Sequence, residues 1–143
     1  MINIHVNNLY KDFSFKSLSI EKISEKVLIN SNYNKVDLNF IFCDDLKLNA
    51  LKIEYFNEDV LTDVLAFPLR NDTVLESEIY ISVDRAKDNS QQNGITLNNE
   101  IIRLIIHALL HLFGYNDRDK KSKEIMFQKQ EELVSEFANI DVL

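Results

Sequence analysis

Apolar and polar positions alternate along the chain in two distinct periods, one typical of strands and one typical of helices. Alternating or continuous apolar runs predict four strands, at residues 2–6, 36–42, 62–67 and 77–83. Apolar residues at helical spacing predict four helices, at 15–30, from a cap at Asp44 or Asp45 to Tyr55, at 96–113 and at 120–137. Pro68 should end the third strand, and a polar stretch that holds Gly94 precedes the third helix. The predicted order is β-α-β-α-β-β-α-α, a sheet with helices packed on it.

The length and composition fit one domain over residues 1–143. The chain has only 2 glycines and 1 proline, so regular elements should be long and loops short, and we find no repeat or linker-like segment. The single cysteine, Cys43, lies in an apolar run and should pack as a small hydrophobic residue. The N-terminus lacks a basic region followed by an apolar stretch, and no segment resembles a membrane span. We therefore expect a cytoplasmic protein.

The formal net charge is -7, which argues against nucleic-acid binding through the overall field of the protein. A local basic patch is compatible with this charge if some cations gather around a cleft while the others stay on the solvated surface. The candidates are the Lys and Arg residues at positions 47, 52, 70, 85, 87, 103, 118, 120, 121 and 123.

The helix predicted at 96–113 is apolar on most sides, yet it carries one polar stripe. Glu100, Arg103, His107 and His111 are spaced three or four apart, so they share one face. Burying polar groups is costly unless they are paired, so this stripe should face a cavity, a ligand or a metal. The alternative is a pair of core histidines hydrogen-bonded to backbone or carboxylate groups.

Histidines at i and i+4 can both point at one metal ion, each nitrogen about 2.0 to 2.1 Å from zinc. Gly114 can end the helix with a positive φ and turn the chain back, which would bring Asp117 to the same point. His107, His111 and Asp117 then supply three ligands to one zinc ion per chain and leave the fourth position open for water. Asp119 is the rival third ligand, but it lies two residues farther past the turn.

An open zinc site activates water and polarises a carbonyl or phosphoryl oxygen, so hydrolysis is the expected reaction class. Metzincin-type zinc proteases share this spacing but need a Glu directly after the first histidine, and here that residue is Ala108. Phosphodiester cleavage depends less on such a base and gains from a cation near the phosphate. Arg103 is a candidate for that contact, unless it is paired with Glu100 or Glu78 as a structural residue.

Three stretches of the chain resemble motifs of the YbeY-type endoribonucleases, bacterial proteins that were first described as predicted metal-dependent hydrolases. Residues 107–117, HALLHLFGYND, resemble the motif HGxLHLxGYDH. Residues 62–68, TDVLAFP, are similar to TDVLSFP, and residues 77–82, SEIYIS, are similar to GDIxIS. Met126 and the following residues 130–132, QEE, fit the closing helix of that family. The resemblance covers nearly the whole chain.

This resemblance implies an α+β, zincin-like fold with a single mixed sheet and a metal site at the end of a buried helix. It further implies a zinc-dependent, single-strand-specific endoribonuclease with roles in 16S rRNA 3'-end maturation and ribosome quality control. Implied partners are rRNA, the small ribosomal subunit and its assembly factors. Two alternatives stay open: a non-catalytic ribosome-assembly factor whose metal is structural, and a zinc protease.

The chain departs from the family pattern at three positions of the candidate site. Asp117 replaces the usual third histidine, Ala108 replaces a glycine, and Phe56 follows Tyr55 where the family has an arginine. If that arginine grips RNA, this chain must use other cations, for which Arg85, Arg70 and Arg103 are candidates. The resemblance also draws attention to two acids in the matched stretches, Asp63 and Glu78, which we expect to support the site as hydrogen-bond acceptors rather than to act as catalytic bases.

Overall fold

Four strands form one mixed sheet in the structure, a computed structural model that describes residues 1–143. The elements in chain order are β1 (Ile2–Asn8), α1 (Ser17–Leu28), β2 (Lys35–Cys43), α2 (Asp45–Phe56), β3 (Val64–Asn71), β4 (Val74–Ser82), α3 (Val83–Asn93), α4 (Leu97–Phe113) and α5 (Lys120–Glu136). The strand order is β1-β2-β4-β3, with β2 parallel to both of its neighbours and β3 antiparallel to β4. The predicted α+β class with a single mixed sheet is confirmed.

The two faces of the sheet are covered differently, and this difference positions the site. One face carries the main core, in which Phe40, Phe42 and Ile79 are fully buried together with side chains of α1, α3, α4 and α5. On the other face, α2 packs Leu48 and Leu51 against a smaller cluster. Because side chains alternate along a strand, β3 contributes to both clusters and thus separates α4 from α2.

Helix α2 begins where the sequence places it. The carboxylate of Asp44 accepts a hydrogen bond from Lys47 N at 2.8 Å, so Asp44 rather than Asp45 caps α2.

Cys43 is buried among apolar side chains, and burial raises the pKa of its thiol to about 12, as expected for an inert packed cysteine. No helix combines the length and the apolar character that a membrane crossing requires.

One helix escaped the prediction. The stretch from Val83 to Asn93 is α3, not part of a strand or an irregular polar segment. Its residues are mostly polar, and the helix buries only Val83, Ala86 and Ser90, too few to give a clear apolar period. Its two ends do carry the usual signals: the Ser82 hydroxyl accepts from Arg85 N, and Gly94 has a left-handed φ of 63°.

The predicted end of the third strand was also wrong. Instead of stopping at Pro68, β3 continues to Asn71, with a register shift between Pro68 and Arg70. A proline lacks the N–H that a central strand needs, but β3 is at the edge of the sheet, where that donor has no partner to lose. Antiparallel pairing then carries β3 into the turn that leads to β4.

Candidate metal centre

The polar stripe of α4 runs from the interior of the protein to its surface. Glu100 is only 4% exposed, Arg103 and His107 are half-buried, and His111 is exposed at the C-terminal end of the helix. From Ile101 to Phe113 the rest of α4 is apolar and almost entirely buried, as the sequence predicts. The helix therefore delivers its two histidines to the surface from a rigid, well-packed base.

The C-terminal end of α4 is fixed by a glycine and by two side chains from elsewhere. Gly114 has a φ of 117°, and its N–H bonds to the carbonyl oxygens of the last turn. A Cβ would meet nothing within 4 Å there, so the backbone conformation alone favours glycine. Leu112 O accepts hydrogen bonds from Tyr33 Oη at 3.2 Å and Asn71 Nδ2 at 3.0 Å. The predicted turn thus starts from an anchored helix end.

His107, His111 and Asp117 line one cavity of about 400 Å³. Its other walls are Lys52 and Phe56 of α2, Ala108 of α4 and residues 64–66 of β3. The structure thus brings the three predicted ligands to one cavity. It does not arrange them around a point: no group of three or more His, Cys, Asp or Glu side chains stands close enough to hold a metal ion. The ligand set therefore stays a prediction.

The hydrogen bonds of His107 suit a metal ligand. Its Nδ1 lies 2.7 Å from Gln130 Oε1, and the amide nitrogen of Gln130 donates to Glu131 Oε2 at 3.1 Å. Because that amide group presents its oxygen to the imidazole, Nδ1 must carry the proton. The other ring nitrogen, Nε2, is then left with a free lone pair. A histidine that binds a metal through Nε2 needs this tautomer, so the chemistry of His107 fits zinc.

Gln130 is held in turn by an ion pair between α4 and α5. Arg103 donates through Nε and Nη2 to the two carboxylate oxygens of Glu131, each at 2.8 Å. This bond keeps the pKa of the Glu131 carboxyl below its usual value, and the same partner raises the pKa of Arg103. Arg103 also donates to Glu100 Oε1 at 3.3 Å and to Asn99. Burial raises the pKa of Glu100. Hydrogen bonds from Asn89 and Arg103 lower this pKa, but they offset only part of the effect of burial.

This pairing bears on the predicted phosphate contacts. Arg103 is paired with Glu100, one of the two structural partners considered from the sequence, and lines neither cavity described here. Arg85 binds both oxygens of Asp45 at 3.1 Å and also Asp88. Arg70 is paired with the adjacent Asp72. Contacts between these arginines and RNA phosphate stay predictions. For each contact, the arginine would have to break its ion pair or bind the acid and the phosphate together.

The remaining acids of the prediction fall into three positions. Asp119 caps α5, accepting from Ser122 N at 2.8 Å, and this bond lowers the pKa of its carboxyl. Asp63 accepts from Asn89, which also donates to Glu100, so Asp63 belongs to the same polar network. The expectation for Glu78 was wrong. Its side chain lies on the sheet face away from α4, beside His5, because its neighbours Ser77 and Ile79 take the inward face.

A second cavity, of about 560 Å³, adjoins the first and shares His107 and Asp117 with it. Its walls come from α5 and include Lys120, Lys123 and Phe127. The sequence named both lysines as possible cleft residues but could not select them from ten cations. Gln130 was missed, although a signal existed: it is a polar residue on the apolar face of α5, four residues after Met126 and three before Leu133.

Comparisons with known proteins place most of the chain in a single family. Residues 5–138 match the family model described as Endoribonuclease YbeY. The Karelsulcia muelleri Endoribonuclease YbeY is 37% identical over 134 residues, which span 92% of each chain. The corresponding Amoebophilus asiaticus protein is 37% identical over 130 residues, 86% of this chain and 88% of the relative.

A relative from Flavobacterium johnsoniae and one solved structure agree with this assignment. The former, an Endoribonuclease YbeY, is 32% identical over 111 residues, 78% of this chain and 80% of the relative. The solution structure of TM1509 from Thermotoga maritima aligns with a TM-score of 0.63 at 28% identity, covering 95% of this chain and 88% of that one. The likeness thus extends over both the sequence and the fold.

Proposed function

This chain belongs to the YbeY endoribonuclease family, and from that premise we propose that it is a zinc-dependent endoribonuclease that cuts single-stranded RNA. The proposed biological role is maturation of the 3' end of 16S rRNA, together with ribosome quality control in the cytoplasm. The proposed partners are rRNA, the small ribosomal subunit and its assembly factors.

One observation carries the metal-dependent part of this proposal: His107, His111 and Asp117 line the same cavity at the end of α4. The two imidazoles are one helical turn apart, and Gly114 starts the turn that returns Asp117 to them. The hydrogen bond from His107 Nδ1 to Gln130 leaves Nε2 as the ligating nitrogen. We propose one zinc ion per chain, held by these three side chains.

When bound, zinc would lower the pKa of a water molecule and counter the negative charge that develops on a phosphodiester. The protein's own residues would hold the RNA in place. Lys120 and Lys123 are exposed on the wall of the second cavity, which His107 and Asp117 also line. Their ammonium groups can meet the phosphates next to the bond that breaks. The buried helix α4 keeps the two histidines from moving when the substrate binds.

A second function is favoured by where the ion would lie. His107 is on α4 and Asp117 precedes α5, so a metal ion there would join two helices that already share the ion pair of Arg103 and Glu131. A metal of this kind stabilises a fold without any turnover. The alternative is therefore a ribosome-assembly factor with a structural metal. A zinc protease is disfavoured because Ala108, which follows His107, has no carboxylate.

Metal analysis of the untagged protein tests the first function. We expect about one zinc per chain, and we expect His111→Ala to lose both the metal and single-strand RNA cleavage. The matched control is His5→Ala, since His5 of β1 lies near Asp37 of β2 and lines neither cavity of the site. Cleavage by a metal-free His111→Ala protein would show that the activity comes from another site or from a contaminating nuclease.

The assembly-factor alternative needs a different comparison. Small-subunit binding and rRNA 3' ends are compared for the wild type and Asp117→Ala, after thermal unfolding has shown that the variant folds. If rRNA 3' ends are processed normally and the small subunit is still bound, the metal site is not needed for cleavage, and the assembly role is favoured. Unprocessed 3' ends with retained binding are the expected result.

A further inference from the structure

Two phenylalanine rings stay exposed on the walls of the two adjoining cavities. Phe56 is 44% exposed on the α2 side, and Phe127 is 60% exposed on the α5 side. Folding gains nothing from leaving such large apolar rings in water, and exposed apolar groups that line a cavity often mark a binding surface. The cavities meet at His107 and Asp117, so one ring lies on each side of the candidate metal site.

Phe56 is held in position by its neighbours on α2 and β3. Lys52 is four residues earlier on the same helix face, and its Nζ lies 4.7 Å from the ring centroid. Phe67 packs at a centroid distance of 5.9 Å. The ring is thus fixed by packing, while it stays partly exposed and lines the cavity. Lys52 also supplies a cation at the wall where the family arginine is missing; its Nζ lies 3.8 Å from Glu58 Oε2, so it would share that acid when it meets a phosphate.

Phe127 and two lysines form a comparable set on α5. Lys120, Lys123 and Phe127 are spaced three and four residues apart, so they share one face of the helix. All three are exposed, and all three line the larger cavity. Each side of the metal site therefore offers an aromatic ring with a cation beside it.

Aromatic rings interleaved with cations are the usual platform for single-stranded nucleic acid. A base of a single strand can stack on an aromatic side chain, whereas the bases of a duplex are already stacked on each other. The lining charges agree with a polyanion: Lys52, Lys120 and Lys123 against Asp117 and Glu124 give a net charge of +1, within a chain of -7. The walls of these two cavities are therefore the local basic patch that is compatible with the negative net charge of the chain.

We propose that the two cavities form one groove for single-stranded RNA, with one nucleobase stacked on Phe56 and another on Phe127 across the metal site. Lys52 contacts phosphate on the first side, and Lys120 and Lys123 contact phosphate on the second. The inference rests on the proposed function, because its ligand is the RNA that the site would cut. It adds where the strand lies and which residues hold it.

The chain has no tryptophan, which makes a direct test possible. Phe56→Trp and Phe127→Trp each place a single fluorescent reporter at a proposed stacking position. We expect a short single-stranded RNA to quench both reporters, and the same sequence as a duplex to leave them unchanged. The matched controls are Tyr55→Trp and Ile125→Trp, whose exposed side chains lie beside the two rings but line neither cavity.

Alanine variants of the metal-loaded protein supply the second measurement. Phe56→Ala and Phe127→Ala should each raise the Kd for single-stranded RNA about fivefold or more, while Tyr55→Ala and Ile125→Ala should not. Lys120→Gln should reduce the slope of log K against log salt by roughly 0.7, the change expected for one lost phosphate contact on a single strand.

The outcomes separate this inference from the proposed function. Quenching and weaker binding without any metal-dependent cleavage would support the groove and overturn the endoribonuclease. Metal-dependent cleavage with reporters and affinities that match the controls would support the endoribonuclease and overturn the groove. Quenching at only one ring would overturn the two-sided arrangement.

Discussion

A single glutamine decides which nitrogen of His107 is available to a metal. Gln130 is 7% exposed, and its amide oxygen faces the imidazole because its nitrogen donates to Glu131. If the amide turned around, its nitrogen would oppose the N–H of His107 and the wrong tautomer would be favoured. Gln130 is therefore a positioning residue for the candidate metal ligand His107, although it lies on a different helix.

Replacing Gln130 should change metal affinity before it changes the fold. We expect Gln130→Leu to weaken zinc binding by about 10- to 100-fold in a chelator competition, because the acceptor for Nδ1–H is lost. Gln130→Glu keeps an acceptor and should restore most of the affinity. Nitrogen-15 chemical shifts of the metal-free protein should report Nδ1 as protonated in the wild type and mixed tautomers in Gln130→Leu.

The control for this prediction is Gln92→Leu, a glutamine on α3 that is bonded only to Asp88. It should leave zinc affinity unchanged. A Gln130→Leu protein with wild-type affinity would show that the metal ligands need no support from α5.

At this scale the sequence shows residue types and offsets, but not the partners that other elements supply. The spacing of His107, His111, Gly114 and Asp117 is local; the three predicted ligands do line one cavity, and their convergence on a metal ion stays a prediction. Gln130 meets His107 from 23 positions farther along the chain, a distance that no local spacing can reveal. Phe56 was noticed as a missing arginine, while its place beside Lys52 on the cavity wall emerged only from packing.

Among the elements, helices α4 and α5 are joined by the ion pair between Arg103 and Glu131. Both side chains are mostly buried, and the bond is bidentate, the geometry in which arginine and carboxylate groups interact most strongly. The same pair holds Gln130, so the packing of α5 on α4 and the orientation of His107 are linked.

Glu131→Gln should lower the free energy of unfolding by about 1 to 3 kcal/mol at neutral pH, because Arg103 loses its charged partner. The pKa of Glu131 is lowered in the folded protein, so its contribution is present above the unfolded pKa of about 4.3 and is lost as pH falls through the folded value. Urea unfolding should therefore show a difference between wild type and variant that is constant near neutral pH and shrinks in acid.

A surface ion pair provides the comparison for this measurement. Arg70 and Asp72 are both exposed, and Arg70→Gln should cost less than about 1 kcal/mol. An equal loss of unfolding free energy in both variants would mean that the ion pair between α4 and α5 is no more stabilising than a surface ion pair.

The elements differ in how far their sequences predict them. Helix α4 is apolar, capped by Thr96 and ended by Gly114, so pattern and caps agree and its bounds were predicted within one residue. Helix α3 was missed because its stabilisation comes from caps and three small buried contacts rather than from an apolar face. In β3, tertiary position outweighed local propensity, since an edge strand tolerates Pro68.

In the whole molecule, the site lies where three separate parts of the chain meet. The wall of the smaller cavity combines α2 and β3 with the end of α4, and the wall of the larger cavity is mostly α5. These parts are brought together by the β1-β2-β4-β3 order of the sheet and by the packing of helices on both of its faces. The α+β class follows from the order of elements, whereas the two cavities follow only from their packing.

The position of the site between two cavities has a consequence for the shape of the substrate. A catalytic centre at the bottom of a dead-end pocket must be reached by a strand terminus, whereas the candidate site of this protein has open space on both sides. A continuous strand can cross it with both termini elsewhere. A closed single-stranded RNA ring should therefore be nicked as fast as its linear counterpart, which gel electrophoresis distinguishes directly. Rings that survive while linear molecules are shortened would show that one side is blocked.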